Sequence, residues 1–289
     1  MSRAMRFGFH ISIKGSIDRA VDRALRIGCD TFQLFTRNPR SWGTTPLEDE
    51  EVEAFKAKLR RSRLQPVFSH MPYILNLASP YPEIYRRSIE SLEEEIRRCE
   101  ALGVRYIVTH LGSHRGAGGG EGVRRVAEAV STALRETDGE VLILLENGSG
   151  AGTQVGSRFE ELGEMLRLIG DERAAVCLDT CHAFAAGYEW RNPEGLEETM
   201  ENFQEAVGFE NLILLHLNDS IGRRGSGIDH HEHIGLGEIG EEGFRLILNH
   251  SQIRRLPIIM ETPIDERRTD QENLRKAKEL AGLLQGGED

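Results

Sequence analysis

Six residues of metal-ligand type follow, in order, on six short apolar runs: His70, His110, Glu146, Asp179, His216 and Glu261. Histidine, aspartate and glutamate together make up about one residue in five. By composition alone such a series arises on the order of once in 10,000, so it points to a shared chemical role. Two further groups extend it. Asp179-Thr-Cys-His182 adds a ligand type three residues beyond a run, and Asp229-His-His231 places two ligand types two residues apart. Imidazole nitrogen and carboxylate oxygen without thiolate is the donor mix of catalytic zinc, manganese or iron sites, as opposed to Cys-rich structural zinc. A single catalytic zinc takes about three protein ligands; nine candidates imply two or three ions.

Each piece also has a plainer reading. A lone histidine at a strand end, such as His70, is more often a hydrogen-bonded core residue, and only the set reverses that. Glu146 and Glu261 in a concave site would be costly without compensation, and a cation is the simplest compensation. Cys177 and Cys181 have no evident activating partner and read as packing. His230 and His233 read as part of a solvated His-rich loop, His114 and His250 have no inferred partner, and all four stay outside the site. Gly116 to Gly120 is not followed by Lys-Ser/Thr, so it reads as a loop and not as a phosphate cradle.

What must position these residues is a repeated unit. Strand-like runs fall at Arg6 to Ile11, Thr31 to Phe35, Pro66 to Ser69, Tyr106 to Thr109, Val141 to Leu145, Ala175 to Leu178, Leu212 to Leu215 and Pro257 to Met260. Between them lie amphipathic stretches such as Tyr85, Ile89, Leu92, Ile96 and Cys99, or Val123, Val126, Val130 and Leu134, spaced for one helical face. Eight alternating units without a linker predict an α/β fold, a single (β/α)8 TIM barrel. The 289 residues suit one domain over 1–289, with 286–289 as a frayed tail. In such a barrel the active site lies at the C-terminal ends of the strands, where the six residues fall.

Composition limits the function classes. The chain is 39% apolar and 29% charged, ordinary for a soluble globular domain. It has no run of about 18 apolar residues and no secretion signal after Met1 to Met5. Cys29, Cys99, Cys177 and Cys181 form no disulfide framework. A cytoplasmic address without membrane contact is expected. The net charge of −11 argues against coating nucleic acid through Lys and Arg. A nucleic-acid substrate would need local positive charge, which bound divalent ions supply.

Eight segments are distinctive together: Phe35-Thr-Arg-Asn-Pro-Arg-Ser-Trp42, His70-Met-Pro-Tyr-Ile-Leu-Asn-Leu77, His110-Leu-Gly-Ser-His114, Leu145-Glu-Asn147, Val176-Cys-Leu-Asp-Thr-Cys-His-Ala-Phe-Ala-Ala-Gly-Tyr188, His216-Leu-Asn-Asp219, Asp229-His-His231 and Met260-Glu-Thr262. In them the chain resembles endonuclease IV, the family of zinc-dependent abasic-site endonucleases of base excision repair. These segments span the chain in order. The resemblance implies three Zn2+ per chain, with Mn2+ or Fe2+ as substitutes. His70, His110 and Glu146 would hold one. Glu146 would bridge to a second held by Asp179, His216 and Glu261, and His182, Asp229 and His231 would hold the third. Glu261 and Glu146 are the implied catalytic groups.

It further implies hydrolysis of the phosphodiester 5′ to an abasic site, giving a 3′-hydroxyl and a 5′-deoxyribose phosphate, and removal of 3′-blocking groups. The implied partner is double-stranded DNA carrying such lesions, and the implied state is a monomer. Arg40, Tyr73 and Ile74 match the side chains that the family inserts into DNA. Ile74 stands where Leu is usual, and His230 stands where Arg commonly follows the aspartate. Arg37, Arg223 and Arg224 are further candidates for phosphate contact, or solvated loop charges. The alternative is a metal-dependent sugar isomerase or epimerase on the same barrel, which would not need His182, Asp229 and His231. A catalytically dead lesion binder would have lost ligands, and none is missing.

Overall fold

A computed structural model describes residues 5–284. The expected tail at 286–289 lies outside the described residues. Eight parallel strands close into a barrel: β1 (Arg6–Ile11), β2 (Phe32–Leu34), β3 (Val67–His70), β4 (Tyr106–Thr109), β5 (Leu142–Glu146), β6 (Ala174–Asp179), β7 (Leu212–His216) and β10 (Pro257–Met260). Their order around the barrel is β1-β10-β7-β6-β5-β4-β3-β2. This is the TIM barrel expected from the alternation of runs. Two short strands, β8 (Asp219–Ser220) and β9 (His231–Glu232), pair antiparallel outside it. Neither strand is marked in the sequence, because two-residue strands carry no periodicity.

Helices pack around the barrel for the reasons their sequences give. Pro82–Leu102 starts with proline in its first turn, where no amide partner is lost, and ends at Gly103 with φ 71°. Leu92, Ile96, Cys99 and Leu102 are buried along one face of it. Gly119–Arg135 buries Val123, Val126, Val130 and Leu134 in the same way. Each such aliphatic side chain contributes on the order of 1.5–3 kcal/mol.

The side chains divide into two cores. The larger fills the space between strands and helices, and a smaller one of Phe68, Val108, Leu144, Ala175, Cys177, Leu214 and Ile259 fills the barrel itself. Alternation along a strand returns every second residue to the same face. Two residues beyond the inward-facing Phe68, Val108, Leu144, Cys177, Leu214 and Ile259 stand His70, His110, Glu146, Asp179, His216 and Glu261. The ligand candidates are thus one further layer of the barrel interior, at its C-terminal mouth. Several strands run one residue past their expected ends because the backbone ladder continues through this layer, pairing His70 with Val108, Glu146 with Cys177 and Asp179 with His216. Below the layer, β1 approaches β2 so closely that a Cβ on Gly8 would lie 1.8 Å from the Thr31 carbonyl oxygen. Only glycine fits there.

Candidate metal centre

All nine ligand candidates converge. Three groupings have their donor atoms within 4.8 Å of one another: His70, His110 and Glu146; Glu146, Asp179, His216 and Glu261; and His182, Asp229 and His231. Glu146 joins the first two because its oxygens face opposite ways. Oε2 lies 3.1 Å from His110 Nε2 and 3.3 Å from His70 Nε2, while Oε1 lies 2.9 Å from His216 Nδ1. Cys181 lies within the same reach of Asp179 and His231. Burial pushes its thiol up, as it pushes that of Cys177 up to about 12, which fits packing better than thiolate chemistry.

Hydrogen bonds at the rear of the imidazoles show that a positive charge belongs between these groups. A backbone carbonyl only accepts, so the ring nitrogen facing one must carry the proton. His70 Nδ1 lies 2.7 Å from the Met71 oxygen, His182 Nδ1 2.9 Å from that of Asn147, and His231 Nδ1 3.1 Å from that of Glu261. The opposite nitrogens are then bare in the neutral rings. His182 Nε2 points at Asp229 Oδ1 from 3.0 Å. His231 Nε2 is buried without any hydrogen-bond partner, 3.6 Å from Asp229 and 3.8 Å from Asp179. Lone pair against carboxylate is repulsive unless a metal ion or a proton sits between them. Burial alone lowers the basicity of His182, yet Asp179, Asp229 and Glu146 outweigh it and hold that ring well above its ordinary pKa. Burial likewise opposes ionisation of Glu146, but His110 and His216 keep its carboxyl well below the usual range. The donor set therefore fits divalent ions bound by nitrogen and oxygen.

Amides fix the carboxylates. Asp179 accepts from the His182 amide at 2.8 Å and from Asn218 Nδ2 at 2.6 Å, and its own amide donates to Asn147 Oδ1 at 2.6 Å. The Glu261 amide donates to Asn218 Oδ1 at 2.8 Å. Asp219 accepts from the amides of Ser220, Gly235, Gly237, Ile239 and Gly240, gathering the loop after β9.

Sequence reasoning missed two members of the layer. His10 and Gln33 are paired positions of β1 and β2, and Gln33 also pairs with the inward-facing Phe68. His10 Nδ1 is 3.3 Å and Gln33 Nε2 2.8 Å from Glu261 Oε1. Counting two residues at a time along every strand would have found them. Looking only for ligand types at strand ends did not, because His10 is penultimate in β1 and glutamine is not a usual ligand. Two of the histidines set aside have other partners. His114 Nδ1 accepts from the amides of Gly116 and Gly118, and His233 meets Asp265 and Asn273.

A cleft of about 460 Å³ leads to the centre, lined by Tyr73, Ile74, His110, Glu146, His182 and Asp229 among others. Tyr73 is 57% exposed, and its ring packs edge-on to Phe35 at 5.2 Å. Arg40 is exposed on the loop after β2 and does not line the cleft. Arg37 corrects the expectation of a phosphate contact or a solvated charge. It is buried, with Nη2 donating to Ser91 and Nε 3.4 Å from Glu95, so it anchors that loop from below. Arg223 is exposed, and Arg224 reaches Glu189 at 3.2 Å.

Arg191 holds the Glu189 carboxyl down to about 2 against the opposing effect of burial, and Arg224 adds to this. A depressed carboxyl contributes stability that is complete above the ordinary pKa of about 4.3 and is lost as pH falls through the folded value. Glu189→Gln should therefore lower the urea midpoint at neutral pH, with the gap from the wild type clearly smaller at about pH 3 and closing only as pH falls through about 2. Equal gaps at both pH values would refute this account of the pair.

Fold and site together define a xylose isomerase-like TIM barrel, and residues 21–285 match the model of that family. Among curated relatives, the "Probable endonuclease 4" of Methanoculleus marisnigri is 50% identical over 95% of this chain and 98% of its own. That of Nitrosopumilus maritimus is 44% identical over 96% and 100%. The crystal structure of endonuclease IV from Thermus thermophilus superposes with a TM-score of 0.85 at 38% identity, covering 96% of this chain and 99% of that one. The chain belongs to the endonuclease IV family, and it is a hydrolase of the endonuclease class. A D-tagatose 3-epimerase-like protein shares the fold with a TM-score of 0.70 at 21% identity. No helix among the described residues is long and apolar enough to cross a membrane.

Proposed function

We propose that the chain is an abasic-site endonuclease that hydrolyses the DNA phosphodiester 5′ to the lesion, leaving a 3′-hydroxyl and a 5′-deoxyribose phosphate. The observation that carries the reading is the convergence of nine donors into three groupings at one barrel mouth. His70, His110 and Glu146 would hold one cation, Glu146, Asp179, His216 and Glu261 a second, and His182, Asp229 and His231 a third. Zinc suits the nitrogen and oxygen donors, and Mn2+ or Fe2+ are substitutes. Such ions supply Lewis acidity toward phosphoryl oxygens and an acidified water.

The chain's own groups do the rest. Glu146 spans two groupings and fixes their separation. Glu261, held at its backbone by Asn218, would orient the nucleophilic water with its carboxylate. His182, Asp229 and His231 would hold the cation that takes up charge on the leaving 3′ oxygen. Tyr73 and Ile74 line the same cleft and would fill the gap left by a flipped abasic nucleotide, with Arg40 gripping the bent duplex from the loop after β2. An abasic nucleotide has little stacking to lose, whereas flipping a normal one costs a few kcal/mol. Removal of 3′-blocking groups follows from the same site, because those groups also hang on a 3′ phosphoester. The reading includes a single domain acting as a cytoplasmic monomer.

The epimerase alternative rests on fold alone, and the third grouping disfavours it. The test is incubation with a duplex containing one synthetic abasic site, with products resolved on a denaturing gel and metal assayed on the same sample. Cleavage 5′ to the site with about three metals per chain is expected. An intact duplex in the presence of fully metallated protein would sink the proposal.

A further inference from the structure

Gln33 is completely buried in the barrel mouth. Its side chain touches two residues of one grouping, Glu261 and His216, and also His10. Nε2 lies 2.8 Å from Glu261 Oε1 and 3.0 Å from His10 Nδ1, and Oε1 lies 2.9 Å from His216 Nε2. The ionised Glu261 carboxylate can only accept, so the amide must turn its NH2 toward it. The amide oxygen is then turned toward His216, whose Nε2 must carry a proton to donate there.

That proton decides the other ring nitrogen. With Nε2 protonated, neutral His216 presents a bare Nδ1 toward Glu146 Oε1 at 2.9 Å, Glu261 Oε2 at 3.5 Å and Asp179 Oδ2 at 3.9 Å. These are the four residues of the second grouping. The same amide occupies Glu261 Oε1 and leaves Oε2 for the cation. The opposite amide orientation would set oxygen against carboxylate, and it would favour a proton on Nδ1 in the place where the cation binds.

We infer that Gln33 is a positioning residue for the second cation: one neutral amide selects the ligand tautomer of His216 and the ligand oxygen of Glu261 together. The inference rests on the proposed reading of that grouping as a cation site. Replacing the amide frees His216 to place its proton on Nδ1, and the proton then competes with the ion. Partners of this kind, lying behind a ligand, typically change metal affinity by about 10–100-fold.

The test follows release of zinc from the metallated protein to a chromogenic chelator, with total metal measured in parallel. Gln33→Leu removes both contacts. Gln33→Glu keeps the shape and an acceptor for His216 but sets a second carboxylate against Glu261, so it stays informative should the leucine variant fail to fold. Each folded variant should lose one equivalent of zinc about 10–100-fold faster than the wild type and retain the rest. Its abasic-site cleavage should fall in kcat with KM little changed, because the DNA-gripping side chains are untouched. Folded variants that release all their zinc at the wild-type rate would overturn the inference. A wild type that binds no metal would instead overturn the reading of the site, so the two failures are distinguishable.

Discussion

Glu261→Gln should cleave an abasic duplex on the order of 10³-fold more slowly than the wild type while still binding that duplex. The substitution keeps the side chain's shape but removes a negative charge from the grouping with Glu146, Asp179 and His216. It also removes the carboxylate that His10 and Gln33 approach. An amide there is a weak cation ligand and cannot hold a water as a carboxylate does. Single-turnover cleavage with enzyme in excess reads the loss in the chemical step, and a gel-shift titration with the same duplex reads binding separately. Activity within about tenfold of the wild type would remove Glu261 from the machinery.

The second large effect concerns the cations themselves. Stripping the protein with a chelator should abolish cleavage and lower the melting temperature by on the order of 10 °C, since free cation at about 1,000 times its Kd stabilises the folded chain by about 4 kcal/mol. The loss is expected because the neutral rings of His70, His182 and His231 aim bare nitrogens at carboxylates. Without cations the site must take up protons instead. Metal binding displaces those protons, so the gap between metallated and stripped protein should widen as pH rises from about 6 to about 8. Adding zinc back should restore both properties. A stripped protein that melts at the same temperature as the metallated one would show that the centre holds no ion of consequence.

The size of both effects follows from burial. His70, Glu146, Asp179 and His216 are each at most 1% exposed, so bulk water screens their charges little. The same ring of donors at the surface would tolerate substitution far better. The acidic chain thus offers DNA little overall attraction, and the proposed ions would concentrate positive charge at the one place where a phosphate must come.

Much of this protein was legible in its sequence because the relevant signals are local. Apolar runs at β1, β4 and β10 match the strands residue for residue, since such runs reflect burial on both sides of a parallel sheet. The six ligand candidates at the ends of strands from β3 to β10 were legible for a related reason: chain direction fixes which end of a parallel barrel carries the site. His182 and Asp229-His-His231 were legible as residue types, but only the resemblance to a family assigned them to a common grouping.

What only the tertiary structure decided depends on contacts between distant segments. The central position of Glu146 arises because β3 and β4 bring His70 and His110 to one of its carboxylate oxygens while β7 brings His216 to the other. Arg37 looked like a loop charge, yet the fold turns it inward to Glu95 and Ser91, more than 50 residues away in the chain. Gln33 lies 183 residues from His216 and 228 from Glu261, and no local pattern marks a lone glutamine in a three-residue strand. Residue type and period 2 along each strand determined which side chains enter the barrel. Closure of the barrel determined which of them meet, because only a closed sheet brings its first strand against its last.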